Sequence, residues 1–139
     1  MRSKTPLAMM EQLLMLLVFA LAALVCLQVF VFSGQTSRRN EARDRAVLEA
    51  QNAAEELKSL RGDMALAAEL YGGSCDGQTW SWTCDENWER DSGDAYRVLV
   101  TRSYSSEALL GAAQVTVSTA EGDLLFALPV AWQEVADHG

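Results

Sequence analysis

The chain has 139 residues, half of them hydrophobic, with 11 basic against 19 acidic residues and a formal charge of -8. That length has room for one small core. So acidic a chain lacks the basic face that a nucleic-acid partner requires.

The first six residues, MRSKTP, are polar and carry Arg2 and Lys4. An apolar run then begins at Leu7, and from Leu13 to Phe32 its one polar member is Gln28. A helix over that stretch is about 30 Å long, the thickness of a bilayer core. A cleaved signal peptide has a shorter apolar region and a small-x-small junction. The sequence after this run, VFSGQTSRR, has no such junction, so the run is expected to stay as a single-pass anchor. Cys26 lies within it and is expected to pack there. Basic residues flank the span on both sides, with Arg2 and Lys4 before it and Arg38, Arg39, Arg43 and Arg45 after it. The positive-inside count therefore does not fix its orientation. Beyond Phe32 the chain carries 18 acidic and nine basic residues, which argues against that part lying flat on anionic lipid.

Residues 38 to 62 have a helical period. Val47, Ala50, Ala54, Leu57 and Met64 fall near three- and four-residue steps, widened by Ala46, Ala53 and Leu60. Glu41 and Arg45 stand in the favourable i, i+4 order. The span is expected to continue as an amphipathic spine, weakest at Ser33-Gly34. Gly62 reads as its stop and Asp63 as the N-cap of a short helix, MALAAELY, ended by Gly72-Gly73.

Strand patterns follow. TWSWTC is short and aromatic. AYRVLVTRS and AAQVTVST alternate, placing Tyr96, Val98 and Val100 on one face of the first and Val115 and Val117 on one face of the second. DLLFALPVAWQEV places Leu124, Phe126, Leu128, Val130 and Trp132 on one face. AEGD, residues 120 to 123, is a hairpin turn, and Pro129 marks an edge or a bulge. The expected fold is α+β: a long transmembrane-plus-amphipathic helix, a short second helix, and an antiparallel sheet of three or four strands packed on the spine.

Cys75 and Cys84 admit two readings. In an oxidising compartment they form a disulfide contributing roughly 2–3 kcal/mol. In a reducing one they are two thiols. In DENWERDSGD, Asp85, Asn87, Glu89 and Asp91 alternate as the oxygens of a calcium loop do. Arg90 and Tyr96, however, stand where an EF-hand needs glycine and glutamate, so solvated turn acids are the favoured reading. Trp80, Trp82, Trp88 and Trp132 are read as core before ligand platform. The lone histidine, His138, is next to the C-terminus. No hydrolase, redox or phosphate-loop motif is present, so no enzyme and no cofactor are expected.

Glu11 stands out. It is a carboxylate with Gln12 beside it, set between the apolar residues 7–10 and the apolar run from Leu13. Either it sits at headgroup level near a helix N-terminus, or it enters the membrane and needs a cation.

With a short basic leader, a hydrophobic helix bearing an early glutamate, an amphipathic spine and a C-terminal antiparallel sheet, the chain resembles type IV pilins and type II secretion pseudopilins. The specific motif covers residues 6 to 17. The resemblance makes Glu11 the subunit-registering carboxylate at the fifth mature position and Pro6–Leu7 the leader cleavage junction. Pro6 departs from the family's glycine, Leu7 from its usual phenylalanine, and the span has no kinking proline. The resemblance implies a structural subunit of a bacterial pilus or secretion filament. Its partners would be other pilin-like subunits and a membrane assembly platform. It would sit in the bacterial cytoplasmic membrane as a single-pass protein, with its N-terminus on the inner side and its sheet domain outside. The parts would be a leader-like segment at 1–6, a transmembrane helix at 7–32, a spine with the short helix at 33–71 and a sheet domain at 72–139. A signal-anchored scaffold of the cell envelope, outside any filament, is the alternative.

Overall fold

The computed structural model describes residues 4–107 and 109–134; His138 lies outside them, as does Arg2. Two helices come first, α1 (Lys4–Ser59) and α2 (Met64–Tyr71). Five strands follow: β1 (Ser74–Asp76), β2 (Thr79–Cys84), β3 (Tyr96–Ser103), β4 (Leu110–Thr119) and β5 (Leu124–Gln133). All neighbours are antiparallel and the sheet order is β1-β2-β3-β4-β5, a meander. The fold is the expected α+β arrangement, with five strands instead of three or four. The chain divides into two compact units, Met1–Asn40 and Glu41–Gly139.

In the second unit the core forms between the sheet's inner face and α1. Strands β2, β3 and β4 contribute Trp80, Trp82, Val98, Val100, Val115 and Val117, all buried. The helix contributes Ala46, Ala50, Ala53, Ala54 and Leu57. Bulk is on the sheet and small residues are on the helix. The methyl-sized side chains of α1 and the two indoles belong to one core cluster, so small residues on the helix meet bulk on the sheet.

The helix ends were partly legible. α1 closes with Gly62 N donating to the Leu57 carbonyl at 2.9 Å and Arg61 N to the Lys58 carbonyl at 3.1 Å. This is a Schellman closure. Arg61, at φ 53°, takes the left-handed position, and Gly62, at φ 82°, follows it. The stop is thus one residue earlier than expected. Asp63 caps α2 as expected, accepting from Leu66 N at 3.0 Å. The Glu41–Arg45 pair is not formed: among the described residues neither side chain has an ion-pair partner.

Both sheet edges are blunted. β1 has only three residues. β5 carries Pro129 opposite Gln114 and a register shift where Val117 faces Phe126 but Ser118 faces Leu124. A proline and a bulge both discourage another strand from pairing there. The bulge also corrects the expected face. Phe126, Leu128, Val130 and Trp132 point inward, whereas Leu124 is turned out and is 62% exposed.

Trp132 closes one end of the core between two glycines. A Cβ built on Gly111, its cross-strand neighbour, would lie 2.2 Å from the indole, and one on Gly62 would lie equally close. Both positions must therefore lack a side chain. Gly111→Ala is expected to destabilise the second unit by about 1–3 kcal/mol through overpacking. Thermal unfolding of the full chain followed by tryptophan fluorescence checks this. Gly34→Ala, where an added Cβ meets nothing, is the control that leaves the midpoint unlowered.

Candidate functional site

Glu11 lies in the first unit, on the N-terminal part of α1. Every residue from Thr5 to Asn40 is exposed. The apolar side chains from Leu7 to Phe32 point in all directions around the helix. A helix apolar all round must be buried in something, either protein or hydrocarbon. Among the described residues this is the one helix long and apolar enough to cross a membrane. Shallow grooves flank Glu11, lined by Ala8, Gln12, Met15 and Phe19 on one side and by Leu7, Met10 and Leu14 on the other. Each is a furrow between side chains of one helix. Among the described residues Glu11 has no ion-pair or hydrogen-bond partner in the chain. Pro6 and Leu7 lie within the first turns of α1. Proline is tolerated in a first turn, where its missing N–H has no intrahelical acceptor.

The second unit holds a charged cluster that sequence reading did not find. Arg90, in the loop between β2 and β3, turns inward toward α1. Its Nε donates to Glu49 Oε1 at 2.8 Å. Its Nη1 and Nη2 donate to the two oxygens of Glu56 at 2.9 and 3.1 Å. The Trp82 indole N–H donates to the same Glu49 oxygen at 3.3 Å. The Arg90 guanidinium lies 4.4 Å from the Trp82 ring centroid, close enough for a cation–π contact. Glu49 and Glu56 are seven residues apart, two turns on one side of α1, and their side chains converge on the one guanidinium. All three side chains are 20% exposed or less. Burial pulls the Arg90 pKa down, but its bonds to the two glutamates outweigh that and hold it above its ordinary value. The signals available were two acids bordering the apolar stripe and a lone base in an acidic loop. Nothing in the sequence joined them.

The loop gives its acidic oxygens other partners. Asp85 Oδ1 accepts from the backbone N–H groups of Asn87 and Glu89, at 2.9 and 2.8 Å. Asp91 Oδ2 accepts from Gly73 N at 3.1 Å. These oxygens brace turns and do not converge. Among the described residues no group of three or more His, Cys, Asp or Glu side chains is placed to hold a metal.

The disulfide reading is likewise corrected. Cys75 pairs with Trp80 and Cys84 with Tyr96. Four residues of β2 separate the two levels, about 13 Å at strand rise. A disulfide needs Cα atoms within about 7 Å, and both thiols are free. Trp80, Trp82 and Trp132 are buried and Trp88 stacks on Tyr96 at 4.0 Å, so the indoles build structure and leave no open aromatic platform.

Burial, with Glu49 adding to it, pushes the Cys84 thiol up from 9.0 to about 11. Only the thiolate is nucleophilic, so iodoacetamide at pH 8 should modify Cys75 well before Cys84, as read by peptide mass spectrometry. The proton is held more tightly in the folded state. The linked stability is therefore complete below about pH 9 and is lost as pH rises towards 11. Arg90→Met leaves two half-buried carboxylates unpaired. It should cost about 2–4 kcal/mol, somewhat less than a fully buried pair. Since the Arg90 charge lowers the Cys84 pKa, its loss should slow Cys84 labelling in the folded chain still further.

No known protein family, no curated protein and no solved structure matches this chain.

Proposed function

We propose that this chain is a structural, non-catalytic, single-pass membrane subunit of a pilin-like or pseudopilin-like assembly. The observation that carries the reading is the apolar half of α1. From Leu7 to Phe32 it is exposed on every side, and it holds a carboxylate, Glu11, four residues after Leu7. Hydrocarbon can cover the apolar surface. It cannot satisfy a charge, which in a bilayer is paired with another helix or faces a polar cavity. A filament subunit meets both demands, since its span is stored in a membrane and then packs against the spans of other subunits. The arrangement of the rest agrees with the reading: α1 ends as an alanine-faced spine under an antiparallel meander.

In this reading the chain resides in a bacterial cytoplasmic membrane with its N-terminus inside and its sheet domain outside. Its partners are other pilin-like subunits and a membrane assembly platform. The sheet domain presents a surface and performs no chemistry.

Pro6 and Leu7 favour a second reading. The family's peptidase depends on glycine where Pro6 stands. If residues 1–6 are retained, no terminal amine forms at Leu7, and the chain acts as a signal-anchored scaffold of the cell envelope.

Two measurements separate these readings. Glu11→Ala should leave membrane insertion intact and abolish co-purification with the other subunits. Wild-type co-purification by that variant would remove the main support for the filament. Intact-mass spectrometry of the membrane-extracted chain reads the N-terminus: a start at Leu7 means processing despite Pro6, and a start at Met1 or Arg2 favours the scaffold.

A further inference from the structure

We infer that residues 33–37 of α1 are a swivel, a stretch where the helix opens and closes while the segments on either side stay folded. The sequence there is Ser33-Gly34-Gln35-Thr36-Ser37. Glycine is the weakest helix former apart from proline, and serine and threonine fall below the straight-chain residues. Poor formers survive in helices where tertiary packing holds them. None of the described residues packs on this stretch: each residue from Ser33 to Asn40 is exposed.

Gly34 is the telling position. Glycine is usually required by a positive φ or by a close approach of other atoms. Gly34 has neither, for its φ is not positive and a Cβ built on it meets no atom within 4 Å. Its remaining physical effect is to weaken the helix. No compensating contact is present. Among the described residues, no side-chain hydrogen bond or ion pair involves any position from Ser33 to Arg45. This stretch also precedes the boundary between the two compact units at Asn40–Glu41. On the C-terminal side, Ala46 to Leu57 is held by the core. On the N-terminal side, the apolar run ends at Phe32 and is held by hydrocarbon in either reading of the anchor. Residues 33–37 have neither support. The inference therefore needs a membrane anchor but not a filament.

Hydrogen exchange on the full chain in lipid nanodiscs tests it. Amides of residues 35–41 should exchange about a hundredfold faster, or more, than those of 47–57. Replacing Ser33, Gly34, Thr36 and Ser37 together by alanine should slow that exchange at least about tenfold, without altering the protection of 47–57. Limited trypsin digestion gives an independent reading. The wild type should be cut after Arg38 and Arg39 before Lys58 or Arg61, and the alanine variant should lose that preference. Equal protection across 35–41 and 47–57, or exchange unchanged by the four alanines, would overturn the swivel. Either result leaves the Glu11 co-purification test untouched.

Discussion

A sheet with one apolar face must be covered, and here a single helix has to do it. The rest of the second unit follows from that constraint. Two tryptophans and four valines at the centre of the sheet present a bulky surface. A helix with large side chains could not approach it closely. Alanines at 46, 50, 53 and 54 with Leu57 solve this by moving the volume to the other layer. The ends of the layer are closed by the same logic of fit, since Trp132 fills the space left by Gly62 and Gly111. The helix must also stop in time for α2 to fold back beside β1 and β2, and the Arg61–Gly62 closure stops it.

Hydrophobic cover alone does not fix how far along the sheet the helix lies. An alanine stripe repeats, and a shift of one turn would present a similar face. Arg90 removes that ambiguity. Its fork takes Glu49 and Glu56 together, so a shift of one helical turn would break three charge-assisted hydrogen bonds and leave charges unpaired in a partly buried setting. The same guanidinium lies against Trp82, which itself donates to Glu49. Register and core are thereby joined in one network. The β2–β3 loop, held by backbone bonds from Asp91 to Thr83 and from Ala95 to Cys84, is the platform that presents Arg90.

Local features were the legible ones. α2 was placed from Met64 to Tyr71 because an Asp N-cap and a Gly-Gly stop bracket it, and both signals act within a turn. The long strands were legible because alternation is a property of neighbouring residues. What escaped was non-local or compositionally silent. β1 is Ser-Cys-Asp, with no apolar pattern, and exists because Gly77, at φ 61°, lets the chain turn back on β2. Leu124 shares a face with Phe126 to Trp132 by alternation alone, because the bulge that turns it out leaves no mark in the sequence. The cysteine spacing allowed a bridge that the hairpin register forbids. Arg90 was weighed only as a misfit in a calcium pattern, since its partners lie 34 and 41 residues away.

The two units place opposite demands on one helix. In the second unit α1 is amphipathic, and its polar residues bordering the stripe, Glu49 and Glu56, share one cation, Arg90. In the first it is apolar all round, and its single acid, Glu11, is not matched within the described chain. The same physics that makes Arg90 necessary beneath the sheet would apply more severely to a Glu11 placed in hydrocarbon, where the dielectric is lower and water is absent. An isolated anchor has an easier solution, with an apolar residue at position 11. A carboxylate there has a physical purpose only if a cation reaches it, from Lys4 or another subunit, or if it sits at the headgroup layer. A cation from another subunit makes α1 a contact surface between subunits. A place at the headgroup layer makes Glu11 a depth marker of a solitary span. Pairing across helices would also set their register, as Arg90 sets the register of α1 on the sheet, so one charge-matching rule would govern both ends of the same helix.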